Sequence, residues 1–360
     1  MSPRPVAKIA ALAPYALADL SSGLGPPTVS LAQNESLRPP SPLAVEAAAR
    51  ALTEGTLYPD PDWLSLRNAI AEVHGFDPAG ILCGAGSMEL IGALAQAYLC
   101  PGDRALTSAH GYLFFRTATA LAGAETDLAP ETDLRVDVDA LLAAVRPQTR
   151  VVWVANPGNP TGTVLAASEL IRLRDGLPGD VLLVIDEAYG EFADTAPLWQ
   201  LIERGDTVVL RTFSKAYGLA GMRAGWGLFP AKVARTLRKV LNPNSVSGSA
   251  QAAAAAAMRD QAYMRETVAQ TARLRDPFSA SARALGLTVP ESRTNFALLD
   301  FGDLDRAARA DAALRAQGLL MRGMAGYGLP TALRATIAEG GAMDRALGIL
   351  TAALQEEMQP

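Results

Sequence analysis

The sequence predicts an α/β protein built on a mostly parallel sheet, with a smaller α+β region toward its C-terminus. Three observations predict it. First, Val151–Val154, Val181–Ile185 and Thr207–Leu210 are continuous apolar runs rich in β-branched residues, the pattern of strands buried on both faces. Second, segments with helical spacing separate these runs. Third, each run opens into a polar loop: Asn156-Pro157-Gly158-Asn159, Asp186-Glu187-Ala188-Tyr189 and Thr212-Phe213-Ser214-Lys215. Ligands of open α/β sheets lie beyond the carboxyl ends of the strands, so three such loops point to one site.

The remaining elements follow in chain order. Residues 1–42 are rich in Pro, Ser and Gly and read as an arm with turns, packed on the smaller domain. Residues 43–245 form the large domain. Helical patterns run from Leu43 to Gly55 and from Trp63 to His74. The strand Ile81–Cys83 enters the turn Gly84-Ala85-Gly86-Ser87, and an apolar helix spans Met88–Leu99. The strand Arg104–Thr107 leads to His110-Gly111-Tyr112. From residue 246 the texture changes, and 246–360 is assigned to the small domain. An alanine-rich helix, an arginine-rich helix to Leu285, the strands Phe296–Leu299 and Leu319–Met321, and the helices Leu304–Ala316 and Met343–Glu356 make it up.

Composition narrows the function. A chain of 360 residues with 49% hydrophobic and 19% charged side chains buries a sizeable core and fits two packed domains. The net charge of −5 argues against nucleic acid or an anionic membrane as a general partner. No apolar run is long enough to span a bilayer, and MSPRPVAKIA lacks the apolar core of a signal peptide, so a cytoplasmic location is expected. Two cysteines, Cys83 and Cys100, and two histidines, His74 and His110, leave no disulfide framework and no thiolate- or histidine-rich metal site.

The strand-end loops carry the chemistry. Lys215, at the mouth of the sheet, is placed to form a Schiff base once desolvated; a surface loop lysine is the plain alternative. Asp186 ends an apolar strand, and a buried carboxylate requires a cationic or hydrogen-bonded partner. A protonated pyridine nitrogen would serve, and so would a helix cap. Asn159 and Tyr189 could donate to the phenolic oxygen of the same ring. Gly86 and Ser87 open a helix, where free N–H groups and the helix dipole attract anions; Ser214 and Arg223 could complete a phosphate cage. A dinucleotide fingerprint fails because Glu89 stands where the third glycine belongs. Tyr112 could stack on a planar ring or belong to the core. Asp133, Asp137 and Asp139 read as a solvated charge run.

Taken together, Asn156-Pro157-Gly158-Asn159-Pro160-Thr161-Gly162, Asp186-Glu187-Ala188-Tyr189 and Ser214-Lys215 through Gly221-Met222-Arg223-Ala224-Gly225 resemble the class I/II pyridoxal-phosphate aminotransferases of fold type I. Pro14-Tyr15, Asn34-Glu35, Tyr58-Pro59-Asp60 and Tyr327-Gly328-Leu329-Pro330 before Arg334 bring the chain nearest the histidinol-phosphate aminotransferase branch. The resemblance implies pyridoxal 5′-phosphate as cofactor, Lys215 as Schiff-base lysine and proton shuttle, and Asp186 against the pyridine nitrogen. It implies Asn159 and Tyr189 at the phenolic oxygen and Tyr112 on the ring. Gly86, Ser87, Met88, Ser214 and Arg223 would surround the phosphate. Tyr58 would reach in from the second subunit of a homodimer. Tyr15, Asn34, Arg322 and Arg334 would line the substrate side. The expected partners are an amino donor and a 2-oxo acid or phosphate-bearing ketone.

Three sequence departures accompany the resemblance. The phosphate loop continues Ser87-Met88-Glu89 in place of an acidic pair, the arm lacks Pro-Gly after Tyr15, and the strand after Arg334 does not end in Ile-Gly. The alternatives at this stage are a decarboxylase of a phosphorylated amino acid, an aromatic amino acid aminotransferase and, from other classes, a non-catalytic amine or cofactor sensor and a nicotinamide dehydrogenase.

Overall fold

The apolar runs become the central strands of the larger of two main sheets. The computed structural model describes residues 3–10, 29–193 and 198–355. Its strands are β1 (Val29–Leu31), β2 (Ile81–Gly84), β3 (Arg104–Ser108), β4 (Glu125–Ala129), the short hairpin β5 (Glu131–Thr132) and β6 (Arg135–Val136), β7 (Thr149–Ala155), β8 (Leu182–Asp186), β9 (Thr207–Thr212), β10 (Gly225–Leu228), β11 (Phe296–Asp300), β12 (Leu319–Gly323) and β13 (Ala332–Thr336). The large sheet has the order β2-β10-β9-β8-β7-β3-β4, and only β10 runs antiparallel to its neighbours. Ala155 pairs with Asp186 and Asp186 with Leu210, so β7 and β8 end level, β9 runs two residues further to Thr212, and their loops leave side by side.

Every residue of β8 and β9 is buried, as their unbroken apolar patterning requires. β10 is not legible from the sequence because Gly-Trp-Gly-Leu has weak strand character. Its glycines answer to space instead: a Cβ on Gly225 would lie 2.4 Å from Ser87 N, and one on Gly227 would lie 2.8 Å from Leu210 Cδ2.

The small sheet has the order β1-β12-β13-β11. Its outer strand β1 comes from the arm and pairs parallel with β12, Val29 against Leu319. Leu31 thereby joins Phe278, Leu299, Met321 and Leu350 in a second core. The alanine-rich helix, observed at Gly248–Arg259, corrects one expectation. It packs against the helices Pro42–Ala51 and Leu64–His74, and its buried alanines belong to the larger core. The change of texture at 246 reflects close helix packing through small side chains. The change of core comes later, along the helix Gln261–Ala284, which contacts the first core through Met264 and Val268 and the second through Leu274 and Phe278. The aspartate run is also more specific than a solvated patch: Asp137 caps the helix Val138–Ala143 by accepting from Ala140 N at 3.0 Å. Among the described residues no helix is long and apolar enough to cross a membrane.

Candidate active site

The loop between β2 and the helix Ser87–Tyr98 forms one end of a cavity of about 240 Å3. Gly86 has φ +80°, and a Cβ there would lie 2.6 Å from Arg223 Nη2. Glycine is therefore required both by the backbone conformation and by the guanidinium behind it. Arg223 itself sits at φ +54° and donates through Nη1 to Ala220 O at 2.9 Å and Ser214 Oγ at 3.4 Å. Thr212 Oγ1 donates to Ser214 Oγ at 3.0 Å. Glu89 supports the turn, accepting from Ala85 N at 2.5 Å and Ser245 Oγ at 2.6 Å. A helix N-terminus, two serines and an arginine thus converge, the donor set of an anion cradle.

The middle of the cavity is formed by the strand-end loops. Asp186 is 3% exposed, and its Oδ1 accepts from Ala188 N at 3.0 Å. Burial raises the Asp186 carboxyl to about 7; the Ala188 N–H opposes the rise and the Glu187 charge adds to it. Lys215 Nζ donates to Asn34 O at 2.9 Å and Gln33 O at 3.3 Å. Desolvation lowers the Lys215 amine to about 7, with Arg334 and Arg223 reinforcing the shift and Glu35 opposing it. An acid and an amine shifted in opposite directions toward neutrality share one cavity, the arrangement expected where protons are moved. Tyr189 is held up to about 12 by burial, and its Oη accepts from Asn34 Nδ2 at 2.7 Å. Its ring meets Phe296 edge-on at 5.2 Å. Tyr112 packs edge-on to Phe115 at 5.5 Å, and Phe115 stacks on the core residue Trp153.

The other wall comes from the small sheet and the arm. Arg334, on β13, is 3% exposed and donates to Asn159 Oδ1 at 2.7 Å and Ala32 O at 3.0 Å. Its guanidinium lies 5.1 Å from the Phe296 ring centre. Arg322, on β12, is its register partner, so two guanidinium-bearing residues face one cavity from adjacent strands. Asn34 has a left-handed backbone, φ +54°, held by its N–H to Thr336 Oγ1 at 2.9 Å and by Asn295 Nδ2 to its carbonyl at 3.1 Å.

Asn34, Ser87, Met88, Tyr112, Asn159, Asp186, Tyr189, Ser214, Lys215, Arg223, Arg322 and Arg334 all line the cavity, and Gly86 shapes it from behind. Tyr58 does not line the cavity of its own chain and is 89% exposed. Tyr15 lies outside the described residues. Sequence reasoning missed Gln33, Thr212 and Tyr327 as lining residues. Gln33 contributes a carbonyl, for which no residue type is a signal. Thr212 ends a strand beside Ser214, and that position was the available clue. His110 does not line the cavity; its Nδ1 is hydrogen-bonded to the Tyr327 carbonyl at 2.7 Å and braces the wall from outside.

The profile of the aminotransferase class I and II family matches residues 26–348. The histidinol-phosphate aminotransferase of Rhodospirillum centenum is 46% identical over 340 residues, 93% of this chain and 94% of that protein. That of Rhodospirillum rubrum is 41% identical over 362 residues, 99% of this chain and 98% of that protein. The crystal structure of histidinol-phosphate aminotransferase from Sinorhizobium meliloti in complex with pyridoxal-5′-phosphate superposes with a TM-score of 0.92 at 32% identity, covering 99% of both chains. An anion cradle, a desolvated lysine and a buried aspartate in one cavity, together with a family match over nearly the whole chain, establish that the chain belongs to the class I and II aminotransferases.

Proposed function

We propose that the protein is a pyridoxal-5′-phosphate-dependent aminotransferase that exchanges an amino group between histidinol phosphate or a closely related anionic amine and a 2-oxo acid. The observation that carries the reading is Lys215 and Asp186 in one cavity, with Arg322 and Arg334 on a wall separate from the Arg223 cradle. The residues present fit the cofactor. The Gly86–Ser87 turn, Ser214 and Arg223 would hold its phosphate. Asp186, a buried carboxylate, is matched to a cationic ring nitrogen. Tyr112 offers a ring face. Arg334 occupies the carbonyl oxygen of Asn159, which leaves the amide N–H as donor to the phenolic oxygen. Tyr189 already accepts from Asn34, so its own hydroxyl proton is free to donate there too.

When bound, pyridoxal phosphate supplies a carbonyl that condenses with amines and a cationic ring that takes up the electron pair left by Cα–H cleavage. The Lys215 amine, lowered to about 7, removes the proton from the substrate α-carbon at neutral pH and holds it for return. Arg322 and Arg334 orient the substrate anion, because a guanidinium matches phosphate and carboxylate alike.

The site is read as shared between two chains. Leu43, Val45, Leu52, Leu57, Tyr58 and Leu64 form an exposed run of apolar side chains along 43–64, unusual for a free surface. A second copy covers it in this reading, and Tyr58 enters the partner's cradle.

Purified protein mixed separately with histidinol phosphate and with single amino acids tests the reading. Loss of the bound-cofactor absorbance is expected with histidinol phosphate and with at least one amino acid. Borohydride reduction and peptide mapping are expected to place the pyridoxyl group on Lys215; finding it on Lys232 or Lys239 contradicts the proposal.

A further inference from the structure

Behind the wall that carries Asp186 and Lys215 lies a buried charge cluster that none of the steps above uses. Arg211, in β9, donates through Nε and Nη2 to Glu187 Oε2 at 2.9 and 2.6 Å, and through Nη1 to Glu191 Oε1 at 2.9 Å. The three side chains are between 4% and 9% exposed. One guanidinium thus holds two carboxylates away from water. The Trp199 ring centre lies 5.2 Å from Arg211 Cζ. Gly190 packs so closely on the guanidinium that a Cβ would lie 2.5 Å from Cζ. The slot admits the planar guanidinium and little else.

The clasp joins segments that the sheet no longer joins. The β8–β9 pairing ends with Asp186 opposite Leu210, and Glu187 N donates to Leu210 O at 2.9 Å. Beyond that point β8 gives way to a loop, while β9 runs on through Arg211 and Thr212 paired only with β10. Glu187 directly follows Asp186, Glu191 lies two residues past Tyr189, and Arg211 precedes Thr212 and the Lys215 loop. A single side chain therefore ties together the segments that carry Asp186, Tyr189 and Lys215. Buried ion pairs add little net stability over apolar packing, but their geometry is specific, and a guanidinium that gives two N–H groups to one Glu187 oxygen and a third to Glu191 fixes the direction as well as the distance of its partners.

We infer that Arg211 is a positioning residue: through Glu187 and Glu191 it sets the spacing of Asp186, Tyr189 and Lys215, and with it the affinity and orientation of the bound cofactor. The inference rests on the pyridoxal-phosphate reading above. Two variants test it. Arg211→Lys keeps the charge and loses the planar fork. Gly190→Ala keeps every charge and pushes on the guanidinium; Gly190 has no positive φ to be strained by alanine.

For each variant and the wild type, three quantities are measured: the Kd of the cofactor-free protein for pyridoxal phosphate, the circular dichroism of the bound cofactor, and the melting temperature of the cofactor-free protein. Arg211→Lys is expected to weaken cofactor binding about tenfold and to change the dichroic band, with Gly190→Ala moving both in the same direction by less. A cluster that served stability alone would lower the melting temperature and leave Kd and the band unmoved in a folded variant, which overturns the inference. If Arg211→Lys does not fold, Gly190→Ala decides by the same criteria. A wild-type protein that takes up no pyridoxal phosphate refutes the cofactor reading itself, a result distinct from failure of the positioning role.

Discussion

The cavity has two walls of different origin. One is the carboxyl edge of the large sheet, where Asn159 follows β7, Asp186 ends β8 and Lys215 follows β9. Neighbouring strands set their spacing. The other wall is assembled from distant segments: Asn34 from the arm is held by Asn295 and Thr336, and Arg334 reaches Asn159 across 175 positions of sequence. The first wall bears the groups suited to the cofactor, and the second bears the arginines suited to a substrate anion. Under the proposed function, cofactor chemistry would be built into the sheet, while substrate selection would rest on how the arm and small sheet meet it.

Substitutions on the two walls are expected to separate, and the largest effect falls on the first. Asp186→Asn is expected to reduce cofactor retention and turnover by about 10^3-fold, since removing one partner of a buried ion pair costs about 3–5 kcal/mol. The same change acts in the opposite direction on the cofactor-free protein. Burial raises the Asp186 carboxyl from its ordinary value of 3.8 to about 7, so folding takes up a proton between those values. Wild-type stability then falls as pH rises through that window, by up to a few kcal/mol. Melts of the cofactor-free Asp186→Asn variant should match the wild type near pH 4 and exceed it above pH 7. Unchanged turnover, or identical melts at both pH values, contradicts this role for the first wall.

On the second wall, Arg334→Ala is expected to lower kcat/KM for anionic substrates by about 10^2-fold, the loss from roughly 2–4 kcal/mol of charge pairing. Cofactor affinity should fall far less. Equal losses of cofactor and substrate binding would merge the two walls through the Arg334–Asn159 contact.

The smallest effect is expected at Tyr58, where Tyr58→Ala should cost about tenfold in cofactor affinity through one lost hydrogen bond. Here the check is complementation. A Tyr58→Ala chain and a Lys215→Ala chain, each impaired alone, should regain activity when exchanged into a heterodimer, because one site then carries both defects and the other neither. Confirmed exchange without recovery places Tyr58 outside the partner's site.

Most of the first wall was legible in the sequence because each of its groups sits within a contiguous motif at a strand end. Asn159, Asp186 and Lys215 needed only the apolar runs before them. The arginines of the second wall were legible only through resemblance to a family, since nothing in the sequence around Arg334 distinguishes a cavity arginine from a surface one. The Gln33 and Asn34 carbonyls that receive Lys215 were not legible at all, as backbone acceptors leave no side-chain signature. The alanine helix packs in the larger core and not with the small domain its texture suggests, because small side chains serve equally well in any close helix contact.

Local patterning by itself determined the buried strands, the glycine turn and the reactive residues at the strand ends. Burial on both faces demands unbroken apolar runs, and a left-handed turn demands glycine; both requirements are met within a few adjacent residues. Only the tertiary structure decided that Asn34 lies beside Lys215, that Arg322 and Arg334 share the cavity with Arg223, and that Arg211 clasps two glutamates behind it. Those contacts depend on long-range closure and desolvation, which arise when the chain packs and have no counterpart in the order of its neighbours.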